Sequence, residues 1–227
     1  MDFDSAVKSI ELDTNAPSTF SKVDICPPVA IFKLTADFKQ DTNPLKVNMG
    51  VGAFRTAEGK PFPLPVVREA EKLLANDPTQ TKEYLPIRGE PSFIEHITKF
   101  QLGKDHKVIT EKRTSSVQTI SGTGALRMAA EFLVRYHHQK ENTAVYVSEP
   151  TWGNHVGIFK TAGFKDIRTY KYWNKESLGL DYEGLLNDLR SAPLRSIFIL
   201  HNCAHNPTGC DPTREQCKFL EVNFFYS

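Results

Sequence analysis

The spacing of apolar residues changes character near Val117. Upstream, hydrophobic positions recur at helical intervals over residues 31–38, over 66–76 behind Pro65, and over 92–101 behind Pro91. Proline suits a first turn because its missing N–H would have no intrahelical acceptor there. In the third run Phe93, Ile97 and Phe100 share one face, which predicts a buried stripe. Downstream, short β-rich runs alternate with helical ones. Residues 117–120, 144–148, 167–173 and 196–200 read as strands; 126–136, 155–162 and 182–190 read as helices, the last capped by Asp181. This alternation predicts an α/β fold: a mostly parallel sheet covered on both faces. A further helix starts at the capping-box pair Thr213 and Gln216 behind Pro212, and runs into an uncapped apolar stretch, 219–227. That ending carries the expectation of an interrupted α/β domain.

Composition narrows the partners. The 40% hydrophobic fraction is enough for a packed core. With 28 basic against 27 acidic side chains, no field steers the chain to nucleic acid or to an anionic membrane. The partners expected are small molecules or protein. Residues 1–21 are acidic and lack arginine, unlike an organellar transit peptide, and no apolar run reaches the roughly 18 residues of a membrane helix. A cytoplasmic protein is expected. Cys26, Cys203, Cys210 and Cys217 form no C-x-x-C pair. The last three lie near His201 and His205, but their spacing fits no closed four-ligand metal site, so they read as buried strand-end residues.

Three turns that follow predicted strands carry groups suited to chemistry. Ser121-Gly122-Thr123-Gly124-Ala125 opens a largely apolar helix. Free N–H groups and the positive dipole end favour a phosphate there, glycine lets the backbone approach it, and Ser121 and Thr123 add hydroxyls. A plain tight turn would use the same residues. A dinucleotide fingerprint fails, because G-x-G-x-x-G needs glycine where Arg127 stands, although Glu149 lies where a ribose-binding acid could sit. Trp152, in Thr151-Trp152-Gly153-Asn154-His155, can stack on a flat heteroaromatic ring, or simply pack in a core; His155 alone reads as a satisfied polar residue. The third turn, His205-Asn206-Pro207-Thr208-Gly209, makes the Asn206–Pro207 peptide a candidate for the cis form.

In this order, and together with residues 47–55 and Glu83-Tyr84-Leu85-Pro86-Ile87, these motifs resemble the class I aspartate aminotransferases, pyridoxal-phosphate enzymes of fold type I. The likeness runs from about Cys26 to about Gln216, and residues 30–38 and 163–167 resemble the cytosolic branch. It implies amino-group exchange between L-aspartate and 2-oxoglutarate on pyridoxal 5'-phosphate. It also implies an N-terminal arm over 1–28, part of a small domain over 29–61, and an incomplete large cofactor-binding domain over 62–227. By the same resemblance Ser121, Gly122 and Thr123 hold the cofactor phosphate, Trp152 stacks on its ring, and Asn206 bonds its phenolic oxygen. Gly52 lies against the substrate carboxylate, and Tyr84 reaches the phosphate of a neighbouring subunit in a homodimer. His155 supports an aspartate that pairs with the ring nitrogen. That aspartate, the Schiff-base lysine and the substrate-clamping arginine are expected beyond Ser227, so no catalytic residue is assigned within the chain. The alternative reading is a non-catalytic cofactor-binding or dimerisation module.

Overall fold

The computed structural model describes residues 18–24, 30–137 and 142–221. They fall into two compact units, Met1–Lys82 and Glu83–Ser227. The first holds α1 (Ala30–Gln40) and α2 (Pro65–Asn76), the latter opened by its proline. The Lys46 ammonium donates to the carbonyls of Phe38 and Asp41 at 2.7 and 2.6 Å, closing the end of α1 where carbonyls have no helical partner. Arg55 bridges to Pro61, and the rings of Phe54 and Phe62 meet edge-on at 5.5 Å. None of the described residues of this unit is buried.

The second unit contains the sheet. Its helices and strands run α3 (Pro91–Leu102), α4 (Lys107–Thr110), α5 (Ser121–Tyr136), β1 (Ala144–Glu149), α6 (Gly153–Ala162), β2 (Asp166–Lys171), β3 (Trp173–Asn174), β4 (Gly179–Leu180), α7 (Tyr182–Ser191), β5 (Ile197–Phe198) and α8 (Arg214–Leu220). β1 lies between β2 and β5, parallel to both, with Val145 opposite Ile167 on one side and Ile197 on the other. β3 and β4 pair separately as a short antiparallel ribbon.

Successive side chains of a strand point to opposite faces, and β1 uses both. Val145 packs with Ala130 of α5 and with Phe159 and Phe164, at and just beyond the end of α6. Ala144 and Tyr146 pack with Tyr170, Tyr172, the α7 leucines Leu185, Leu186 and Leu189, and Leu220 of α8. Each such side chain removed from water contributes about 1.5–3 kcal/mol, so the two small clusters fix β1 as the centre of three layers. Asp181 caps α7 through the Gly184 N–H at 3.0 Å, and Thr213 and Gln216 form the expected capping box on α8.

Several expectations need correction. Residues 117–120 form no strand: among the described residues none lies beside them to complete a ladder. The segment is tied instead to the turn before α3, where Gln118 N–H donates to the Arg88 carbonyl at 2.9 Å and Gln118 Oε1 accepts from Glu90 N–H at 2.8 Å. Gly89 permits this contact, since with φ +98° a Cβ there would meet Gln118 Cβ at 2.2 Å. The Phe93, Ile97 and Phe100 face of α3 is not buried; Phe100 is 81% exposed and nothing described covers it. The strand over 196–200 shortens to Ile197–Phe198, though Ile199 N–H still reaches the Tyr146 carbonyl at 2.9 Å. Cys203 and Cys217 are exposed and Cys210 half-buried, because they stand on the loop after β5 and on α8 rather than at strand ends. Cys26 and the arm apart from residues 18–24 lie outside the described residues.

Candidate functional site

Parallel strands deliver their carboxyl ends to one edge, where open α/β sheets collect ligands. From β1 the chain passes through the cis peptide Glu149–Pro150 to Thr151 and Trp152, the N-cap of α6. His155, in the first turn of α6, is buried; its Nδ1 shares a hydrogen bond with the Thr151 hydroxyl at 2.8 Å. From β5 the chain passes through His201 to His205 and Asn206, with the Asn206–Pro207 peptide cis as expected.

Ring contacts join the two strand ends. The half-buried indole of Trp152 meets His155 edge-on at 5.4 Å, and His155 meets His201 at 5.0 Å. His201 stacks on His205 at 4.3 Å, and His205 stacks on Tyr172 at 3.6 Å. Burial holds all three imidazoles below the ordinary histidine range, and the neighbouring His201 adds to the effect on His155 and His205. For His205, only 1% exposed, the value is pushed down to about 4. The row is therefore neutral at physiological pH. Asn206 N–H donates to His201 Nδ1 at 2.9 Å, so the neutral ring carries its proton on Nε2. That buried nitrogen has no hydrogen-bond partner among the described residues.

Ser121, Gly122 and Thr123 form the exposed first turn of α5. The first backbone bond of that helix runs from Gly124 N–H to the Ile120 carbonyl at 3.1 Å, leaving the three preceding N–H groups without a helical acceptor. No side chain caps the helix and no acid stands in its first turn. Ser121 takes φ +59°, a left-handed conformation costing a non-glycine residue on the order of 1 kcal/mol. A Cβ at Gly122 would meet nothing within 4 Å, so backbone there is open to approach. α5 is held to α6 by Arg127, whose guanidinium donates to the Thr161 hydroxyl at 2.8 Å.

The structure thus gathers Trp152, His155 and the Asn206 turn into one cluster, while no hydrogen bond or ring contact among the described residues joins the Ser121 turn to it. Tyr84 is fully exposed, and Gly52, in the first unit, is exposed, where a Cβ would meet nothing within 4 Å. The sequence pattern offers His205 only as the start of the Asn206 turn and His201 only beside the cysteines, and gives neither Tyr172 nor Asp211 a part in the site. The available signal was two histidines four apart after a strand.

The profile of the family described as "Aminotransferase class I and II" matches residues 44–223. The chain belongs to this family. It is 56% identical over 205 residues to the cytoplasmic aspartate aminotransferase of Gallus gallus, covering 89% of this chain and 50% of that protein. The cytoplasmic enzyme of Oryza sativa subsp. japonica is 47% identical over 199 residues, 88% of this chain and 48% of that one. Among solved structures, the aspartate aminotransferase of Saccharomyces cerevisiae cytoplasm superposes with a TM-score of 0.76 at 44% identity, covering 87% of this chain and 47% of that chain. An aromatic-amino-acid aminotransferase of Burkholderia pseudomallei, described as covalently bound to pyridoxal phosphate, gives 0.80 at 36% identity, covering 91% and 51%. The chain spans about half the length of the curated relatives it matches. Its fold is that of the type I aminotransferases.

The residues of this aminotransferase chain fit a phosphorylated aromatic cofactor. An uncapped helix start with free N–H groups suits a phosphate, a half-buried indole offers a flat face, and the unpartnered His201 Nε2–H is a donor awaiting an acceptor. Among the described residues no group of three or more histidine, cysteine, aspartate or glutamate side chains could hold a metal ion. No helix there is long and apolar enough to cross a membrane.

Proposed function

We propose that this chain contributes the phosphate and ring contacts of a pyridoxal-phosphate site in a cytoplasmic aminotransferase acting on L-aspartate and 2-oxoglutarate. One observation carries the reading: the ring row from Trp152 to His205 spans the carboxyl ends of two adjacent parallel strands. When bound, pyridoxal 5'-phosphate supplies an electron sink for the α-carbon of an amino acid. The N–H groups and hydroxyls of Ser121 and Thr123, with the N–H of Gly122, hold its phosphate. Trp152 covers one face of its ring and excludes water, and the Asn206 amide donates to the phenolic oxygen. His155, braced by Thr151, supports the acid that pairs with the ring nitrogen. Gly52 leaves room for the substrate carboxylate, and Tyr84 reaches the phosphate of a second subunit in a homodimer.

Residues 1–28 act as the arm, 29–61 as part of the small domain and 62–227 as large-domain sequence under the same reading. Lys218, the one lysine after Asn206, is exposed on α8 and takes no part in the site. Isothermal titration of the 227-residue polypeptide with pyridoxal 5'-phosphate tests the proposal. One saturable site is expected, weakened about tenfold by Thr123→Ala through a lost hydrogen bond to a charged group. Absence of saturable heat would refute it.

A further inference from the structure

Between β5 and α8 the chain has no regular structure, yet Asn206 has to point in one direction if it is to serve a ligand. His205, buried in this stretch, is held through both its ring and its backbone. Its Nε2 shares a hydrogen bond with the Ser148 hydroxyl of β1 at 2.8 Å, and its Nδ1 shares one with the Thr208 hydroxyl at 2.8 Å. Its N–H donates to Asp211 Oδ1 at 2.8 Å, and its carbonyl accepts from Gly209 N–H at 2.7 Å. Tyr172 and His201 stack within 13° and 27° of parallel, which two rings achieve only on opposite faces of the third. His201 in turn accepts the Asn206 N–H.

We propose that His205 is a positioning residue: tied through both ring nitrogens to β1 and to its own loop, and clamped between Tyr172 and His201, it aims Asn206. The ligand consequence rests on reading Asn206 as a cofactor contact; the ordering of the loop does not. A neutral ring offers one donor and one acceptor, matching two hydroxyls that can each play either role. A protonated ring would add charge to a site with no room to hydrate it. The ionisable groups facing it are Tyr172, His201 and His155, plus Asp211, whose carboxylate is already engaged by the Ala204 and His205 N–H groups. The depressed affinity of His205 for a proton agrees with that setting.

Hydrogen exchange on the full chain, resolved by residue, tests this. In His205→Phe, which keeps a ring in the stack and removes both ring bonds, protection of the Asn206 and Gly209 amides should fall about tenfold while β1 amides keep theirs. In the wild type the same protection should drop as pH falls below about 5 and that step should vanish in the variant, an outcome that loss of packing alone would not give. Unchanged protection, or an unchanged acid step, would overturn the proposal. Should His205→Phe lose protection in β1 as well, Ser148→Ala and Thr208→Ala decide, since each removes one bond with the imidazole in place: lowered Asn206 protection supports the role, and full protection refutes it. If the wild type fails to bind pyridoxal 5'-phosphate, the proposed function falls while the exchange result still settles His205.

Discussion

His205 shows how a single buried group sets a pH limit. Its proton affinity in the fold, near 4, is below the ordinary histidine value, and His155 and His201 shift the same way. The unfolded chain therefore binds protons that the fold rejects, so stability rises with pH across this window. The histidine contribution is complete above about 6.5 and is lost as pH falls toward 4. Urea midpoints measured between pH 4 and 7 should track that loss, and His205→Phe should flatten the curve. At Gly89 the constraint is steric. Gly89→Ala would press a Cβ into Gln118 at a left-handed φ and is expected to cost about 1–3 kcal/mol, read as a lowered melting temperature. The placement of Trp152 and Asn206 at neighbouring strand ends was legible at this scale because their neighbours in sequence form short motifs. Tyr172 was not, because its stacking on His205 joins residues far apart along the chain.

Elements bonded within themselves were read well. Helices α2, α3, α7 and α8 begin where proline, Asp181 or Thr213 announces them, since their hydrogen bonds are local. Strands depend on neighbours that a local pattern does not contain. Ala144–Glu149 has partners on both sides and is a full strand; 117–120 has none among the described residues and stays extended. The apolar face of α3 was legible as apolar, but its burial depends on a partner that the described residues lack. Where partners exist, their loss is measurable. Leu185→Ala removes a fully buried side chain from the cluster that packs α7 on the sheet and should lower stability by about 2–5 kcal/mol by chemical denaturation. Thr213→Ala breaks the α8 capping box and should cost about 1 kcal/mol.

Across the whole molecule, the chain shares the family's α/β layering, and its aspartate aminotransferase relatives are about twice its length. A coupled assay of the isolated 227-residue polypeptide with aspartate and 2-oxoglutarate should show no turnover, because no lysine among the described residues of the second unit belongs to the ring cluster. The central claim is that the first turn of α5 and the Trp152 row serve one phosphorylated aromatic ligand. It is tested most directly by tryptophan fluorescence in a Trp173→Phe background, which leaves Trp152 as the only emitter. Titration with pyridoxal 5'-phosphate should quench that emission saturably, and pyridoxal lacking the phosphate should require roughly a hundredfold higher concentration, as expected when charge-assisted hydrogen bonds are lost. Equal response to both compounds, or quenching that never saturates, would contradict it.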